Sequence, residues 1–187
     1  MAHSLTAYAH DSHGQIRERL THISARADAK ALRERQARCD RFVADASRHA
    51  FATYRVVVTE ARRRLGVRRS QPLAHCCRVL ERDLLDIKAR QYGSAGVAHL
   101  PWVELFERVR RHLSALVEAE TDLVRELSET MSQDEIAELI DRWRRWESRA
   151  PSRPHPFLPH RGVSGLIAAS LACGADSIWD SLQGRSA

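Results

Sequence analysis

The sequence predicts an all-α protein: an up-down-up-down four-helix bundle, an appended fifth helix and a C-terminal helical tail. Three observations carry that expectation. Apolar residues recur with a period near 3.6 along almost the whole chain, as in amphipathic helices. Turn formers are scarce, with 8 Gly and 6 Pro among 187 residues, too few for a many-stranded sandwich or barrel. The periodic stretches are long and the breaks between them short, as in helices that pack antiparallel.

The first helix is expected over about residues 5–25, with the stripe Ala9, His13, Ile16, Leu20 and Ile23 and Ser4 as its N-cap. The second runs over about 31–65 on Cys39, Phe42, Ala46, His49, Thr53 and Val56, with Val57 and Leu65 beyond, and Gly66 stops it. The segment Ser70-Gln71-Pro72 is expected to open the third helix, because proline suits an early helical position. That helix carries Leu73, Cys76, Leu80, Leu84 and Ile87. A Gly/Ser loop over 93–96 precedes the fourth helix, which starts near Pro101 and carries Trp102, Leu105, Val109, His112, Leu116, Leu123 and Leu127. Ser132-Gln-Asp-Glu135 is a capping box opening the fifth helix, with Ile136, Leu139, Ile140, Trp143 and Trp146 on its apolar face. The resulting division is a helical bundle with its fifth helix over 5–147, a Pro-rich linker over 148–162 and a helical tail over 163–187.

Composition narrows the function classes. Hydrophobic residues make up 43% and charged residues 29%, a globular and not a disordered balance. The net charge is +6, which permits anionic partners without fixing the fold. No run of 18 apolar residues occurs, so no membrane span is expected. The first ten residues lack a basic start and an apolar run, so no signal peptide is expected and the protein reads as cytoplasmic, with reduced thiols. The four cysteines lack C-x-x-C spacing, which argues against a structural zinc site. Cys39 and Cys76 fall on apolar stripes and are expected as small core residues.

Three histidines fall mid-helix on three elements. His13 and His49 lie on core-facing stripes, and His75 lies at the edge of one, beside Cys76. A lone histidine on an apolar stripe is ordinarily a hydrogen-bonded core residue. Three on three helices of one bundle point further, because bundle cores build metal sites from facing side chains and imidazole is a good ligand for iron, zinc or copper. Arg62-Arg63-Arg64 with Arg68-Arg69 is a basic helix end that offsets the macrodipole. Trp143 and Trp146, at i, i+3, read as one packing face. No phosphate-binding glycine loop, nucleophile elbow or H-E-x-x-H is present.

In their order and spacing these segments resemble the hemerythrin-like, HHE cation-binding family, over residues 5–182. Ser12-His13-Gly14-Gln15-Ile16 is similar to its first-helix Asp-His-x-x-Ile signature, and Arg48-His49 through Thr53-Tyr54 to its second-helix His-x-x-x-Glu-Glu signature. His75 stands where the third-helix Glu-His lies. Glu120 through Leu127, then Met131 through Glu135, is similar to the end of the fourth helix and the start of the next. Arg153-Pro154-His155-Pro156 and the tail from Ala175 to Arg185 are similar to segments of bacterial members.

The resemblance implies a non-haem iron site that binds oxygen or related small ligands, with His13, His49, His75 and Glu120 as metal ligands. Two family positions depart from the pattern. Thr53 replaces the bridging carboxylate four residues after His49, and Ala115 replaces the fourth-helix histidine five residues before Glu120. Two ferrous ions would leave about three uncompensated charges in a low-dielectric core. A single iron is therefore expected over a di-iron pair, with no metal at all as the alternative. His112 and Asp45, each about one turn displaced, are possible additional ligands, or else a polar pair facing water.

The function expected is an eroded iron site that senses or handles oxygen, nitric oxide or peroxide rather than one built for turnover chemistry, with enzymatic activity left open. A metal-free helical module that binds a protein partner is the alternative. Nucleic-acid binding through the arginine clusters ranks third.

Overall fold

The computed structural model describes residues 4–23, 29–93 and 100–150. It is all-helical, and among the described residues no strand occurs. Helix α1 spans Leu5–Thr21 and α2 spans Ala29–Thr53. A π-helical segment, Tyr54–Val58, continues α2 into α3, Thr59–Leu65. Then come α4 (Val67–Gln91), α5 (Trp102–Glu129) and α6 (Gln133–Arg149). The tail and most of the Pro-rich linker lie outside the described residues.

Local chemistry accounts for the boundaries. Ser4 Oγ accepts from the Ala7 N–H at 3.3 Å and opens α1. The capping box at α6 forms reciprocally: Glu135 N–H donates to Ser132 Oγ at 3.3 Å, and Ser132 N–H donates to Glu135 Oε2 at 2.9 Å. Gly66 is the only residue between α3 and α4 and has φ +88° and ψ 168°, a region essentially closed to residues with a Cβ. Helix α4 therefore begins at Val67, not at Ser70. Pro72 is its sixth residue, and the carbonyl left without an N–H partner belongs to exposed Arg68.

The core follows most of the expected stripes on α1, α2, α5 and α6, although Trp102, His112 and Trp146 are only half-buried. Ile16, Phe42, Ala46, Leu116, Leu127, Leu139 and Trp143 are all buried. On α4 the stripe departs from the expectation at one position. Leu73, Cys77, Leu80, Leu84 and Ile87 are buried, whereas Cys76 is only half-buried. Spacings of 4, 3, 4 and 3 keep a residue on one helix face more evenly than the 3, 4, 4 and 3 of the expected set.

Helix α1 packs on α2 and α5, and α4 packs on the same two. Helix α6 lies against α2, the π segment and α1. The π segment touches both α4 and α6. Three successive residues there, Val56, Val57 and Val58, are buried, although consecutive residues on a helix face directions about 100° apart. Neighbours on two sides give all three apolar cover.

Candidate metal centre

Glu60, Glu81, Asp83 and Glu120 are the buried carboxylates among the described residues, and Glu120 lies where α1, α2 and α5 meet. The stripes of α1 and α2 put His13 and His49 inside, and the stripe of α5 puts Glu120 inside; each is at most 2% exposed. His13 Nε2 lies 2.9 Å from Glu120 Oε1, and His49 Nε2 lies 3.2 Å from Glu120 Oε2. One ligand atom from each residue falls within 4.8 Å of the others. Thr53, one helical turn beyond His49, donates its hydroxyl to Glu120 Oε2 at 3.0 Å.

The far side of His49 is held by α6. His49 Nδ1 lies 2.8 Å from Glu147 Oε1. Tyr8 on α1 donates its hydroxyl to the other oxygen of Glu147. Trp143 stacks on the His49 ring at 5.9 Å between centroids and 25° between planes, and Tyr8 meets Trp143 edge-on at 5.1 Å.

The electrostatics follow from this enclosure. Burial opposes charge on His49, but the Glu120 carboxylate, then Glu147, outweigh it and raise the imidazole to about 10. Burial likewise opposes charge on Glu120, and His49 and His13 outweigh it, holding the carboxyl down at about 2. Without a bound cation the site is a buried imidazolium–carboxylate pair.

That pair gives the folded protein a defined pH dependence. The raised His49 contributes stability that is complete below its ordinary 6.5 and disappears as pH rises through about 10. The depressed Glu120 contributes stability present above its ordinary 4.5 and lost as pH falls through about 2. Urea titrations of metal-free protein are expected to show stability falling between pH 7 and 10, with a slope that disappears in His49→Gln. A flat profile in the parent chain would contradict a shared proton.

The other sequence candidates are elsewhere. His75 is exposed on α4, because two residues beyond buried Leu73 a helix has turned by about 200°. Asp45 pairs with Arg19 and stands 3.9 Å from Arg48. His112 pairs with Asp83 on α4. Ala115 is exposed, whereas Thr53 faces Glu120. Arg63 and Arg64 bond Glu60, and Arg69 bonds Glu126, so much of the basic cluster is engaged within the fold. His75→Ala is expected to change stability by under about 0.5 kcal/mol and to leave metal content unchanged; a loss of metal would show that α4 contributes a ligand.

Sequence reasoning missed Glu147, Tyr8 and Cys77. The alternating stripe spacing would have found Cys77. Its thiol is pushed well above its usual range by burial, with the Glu120 carboxylate adding to the effect. The same spacing reaches Glu147, which follows Ile136, Ile140 and Trp143 at intervals of 4, 3 and 4 on the inward face of α6.

A cavity of about 130 Å³ opens beside the site, lined by Ser12, Gln15, Asp45, Arg48, His49 and Glu147. Pockets for drug-sized ligands run to about 300–1,000 Å³, so this one admits only a few atoms. Among the described residues no helix is long and apolar enough to cross a membrane. No protein-family model matches the chain, and neither a curated protein nor a solved structure matches it.

Proposed function

We propose that the chain is a hemerythrin-like up-down-up-down four-helix bundle, α1, α2, α4 and α5, that holds one divalent cation on His13, His49 and Glu120. The observation that carries this reading is the pairing of His13 Nε2 with Glu120 Oε1. The two atoms are fully buried and 2.9 Å apart, and beyond this one contact neither has a hydrogen-bond partner among the described residues. Buried polar atoms left this way ordinarily have an unseen partner. Metal–ligand bonds of about 2.0–2.2 Å place neighbouring ligands roughly 3 Å apart, and the distances of 2.9 and 3.2 Å agree with that.

Two imidazoles and one carboxylate match the ligand set of non-haem ferrous sites that keep open positions. Bound there, iron would supply an open coordination position for dioxygen, nitric oxide or peroxide. This chain's residues do the rest. Glu120 offsets part of the cation's charge, and Glu147 fixes the His49 ring. With Thr53 in place of a bridging carboxylate, the set suits one ion and not two.

Metal analysis of protein purified from iron-supplemented cells tests the proposal. About one iron per chain is expected, lost in His13→Ala and retained in His75→Ala. Two irons per chain would overturn the single-ion reading. The second reading, a metal-free interaction module, is favoured by the raised His49, since the imidazolium–carboxylate pair needs no cation for its charge balance. Absence of metal from protein equilibrated with ferrous or zinc ion would decide for it.

A further inference from the structure

Two contacts from α6 converge on one proposed ligand, and a third from α1 holds them in place. Glu147 meets His49 Nδ1 at 2.8 Å, Trp143 stacks on the same ring at 5.9 Å, and Tyr8 ties the second oxygen of Glu147 back to α1. A carboxylate on the outer nitrogen of an imidazole fixes the tautomer that offers Nε2 inward, and raises its basicity as a ligand. Glu147 stands at the C-terminal end of α6, which the chain leaves at Ala150.

From this convergence we infer that Glu147 is a positioning residue that couples cation occupancy of the His13–His49–Glu120 site to docking of the last turn of α6. The inference rests on the cation-binding reading. Coupling between two binding events is reciprocal. If the Glu147–His49 contact strengthens cation binding by some factor, a bound cation strengthens docking of that turn by the same factor. Partners of this kind ordinarily contribute 10–100-fold in affinity. The cation thereby governs how firmly the last turn of α6 is held against α2.

The other nearby groups that bear on this contact come from each packed element. Asp45 and Arg48 line the cavity from α2, and Ser12 and Gln15 line it from α1. Asp45 is engaged by Arg19, which leaves Glu147 as the carboxylate on the His49 ring from this side.

The test uses the full chain with zinc ion as the probe, in the parent protein, Glu147→Ala and Glu147→Gln. Zinc affinity is expected to fall 10–100-fold in Glu147→Ala, and by less in Glu147→Gln, whose amide oxygen can still accept from Nδ1–H. Zinc is expected to slow amide hydrogen exchange of residues 143–149 by the same 10–100-fold in the parent, to lose that effect in Glu147→Ala and to keep only part of it in Glu147→Gln. Protection gained in α1 and α2 is expected in all three proteins. Nitrogen chemical shifts of the His49 ring report the tautomer directly, which a loss of packing alone would not move. If the parent binds zinc and both variants bind it equally, or if α6 gains equal protection in all three, the coupling is wrong and the cation site stands. If the parent does not bind zinc, the cation site fails and the coupling falls with it. Should Glu147→Ala fail to fold, Glu147→Gln carries the comparison.

Discussion

Glu120→Ala is expected to lower the unfolding free energy by about 3–5 kcal/mol, the usual result of removing one partner of a buried charge pair. Glu120 is completely buried and receives three contacts, from His13, His49 and the Thr53 hydroxyl. Truncation strands all three. His49 keeps Glu147 on its other nitrogen, but the inner faces of both imidazoles are left without a counter-charge. For a chain of this size each kcal/mol corresponds to about 2–4 °C, so a fall in melting temperature of about 6–20 °C is expected. Glu120→Gln separates charge from shape: the amide still accepts from Thr53, so the fold is expected to survive while cation binding is lost. A change in stability under about 1 kcal/mol for Glu120→Ala would contradict the buried pair. Cation binding retained in Glu120→Gln would remove the carboxylate from the ligand set.

Trp143→Ala is the second large effect. Trp143 heads the largest fully buried side chains and packs between Tyr8 and His49. Truncating a buried aromatic of this size costs about 3–5 kcal/mol, through lost transfer energy and the cavity left behind. The damage is expected to be local as well as global. Without Trp143, α6 loses its main anchor, and Glu147 loses the support that keeps it at His49. Hydrogen exchange is therefore expected to accelerate in α6 before it does in α5. Trp143→Phe is expected to cost much less. The indole N–H is buried with no hydrogen-bond partner among the described residues, so its removal deletes an unpaired donor while most of the ring contact remains. Equal losses for Ala and Phe would show that the indole nitrogen has a partner.

The two substitutions mark how far local pattern reaches. Trp143 was legible as a core residue from its spacing with Ile136, Leu139 and Ile140, because helical phase is a property of each segment alone. His13 and His49 were legible in the same way as inward-facing polar residues, whereas Glu120 was named only through the family resemblance. Phase fails where a stripe has two nearly equivalent settings. On α4 a shift of one residue exchanges Cys76 for Cys77, and the neighbouring histidine was set at the edge of the core when it faces solvent.

The amino-acid sequence by itself determined that the chain is helical, where most helices begin and end, and that the imidazoles of His13 and His49 face inward. Caps, glycine stops and apolar period act over a few residues, so they can be read without knowing the rest of the chain. Tertiary structure decided which of those groups meet. Whether His49 turns one nitrogen to Glu120 and the other to Glu147, 98 residues further along, depends on the rotation and axial offset of three helices against one another. Those offsets come from side-chain packing summed over the whole interface, and no short stretch of sequence encodes them.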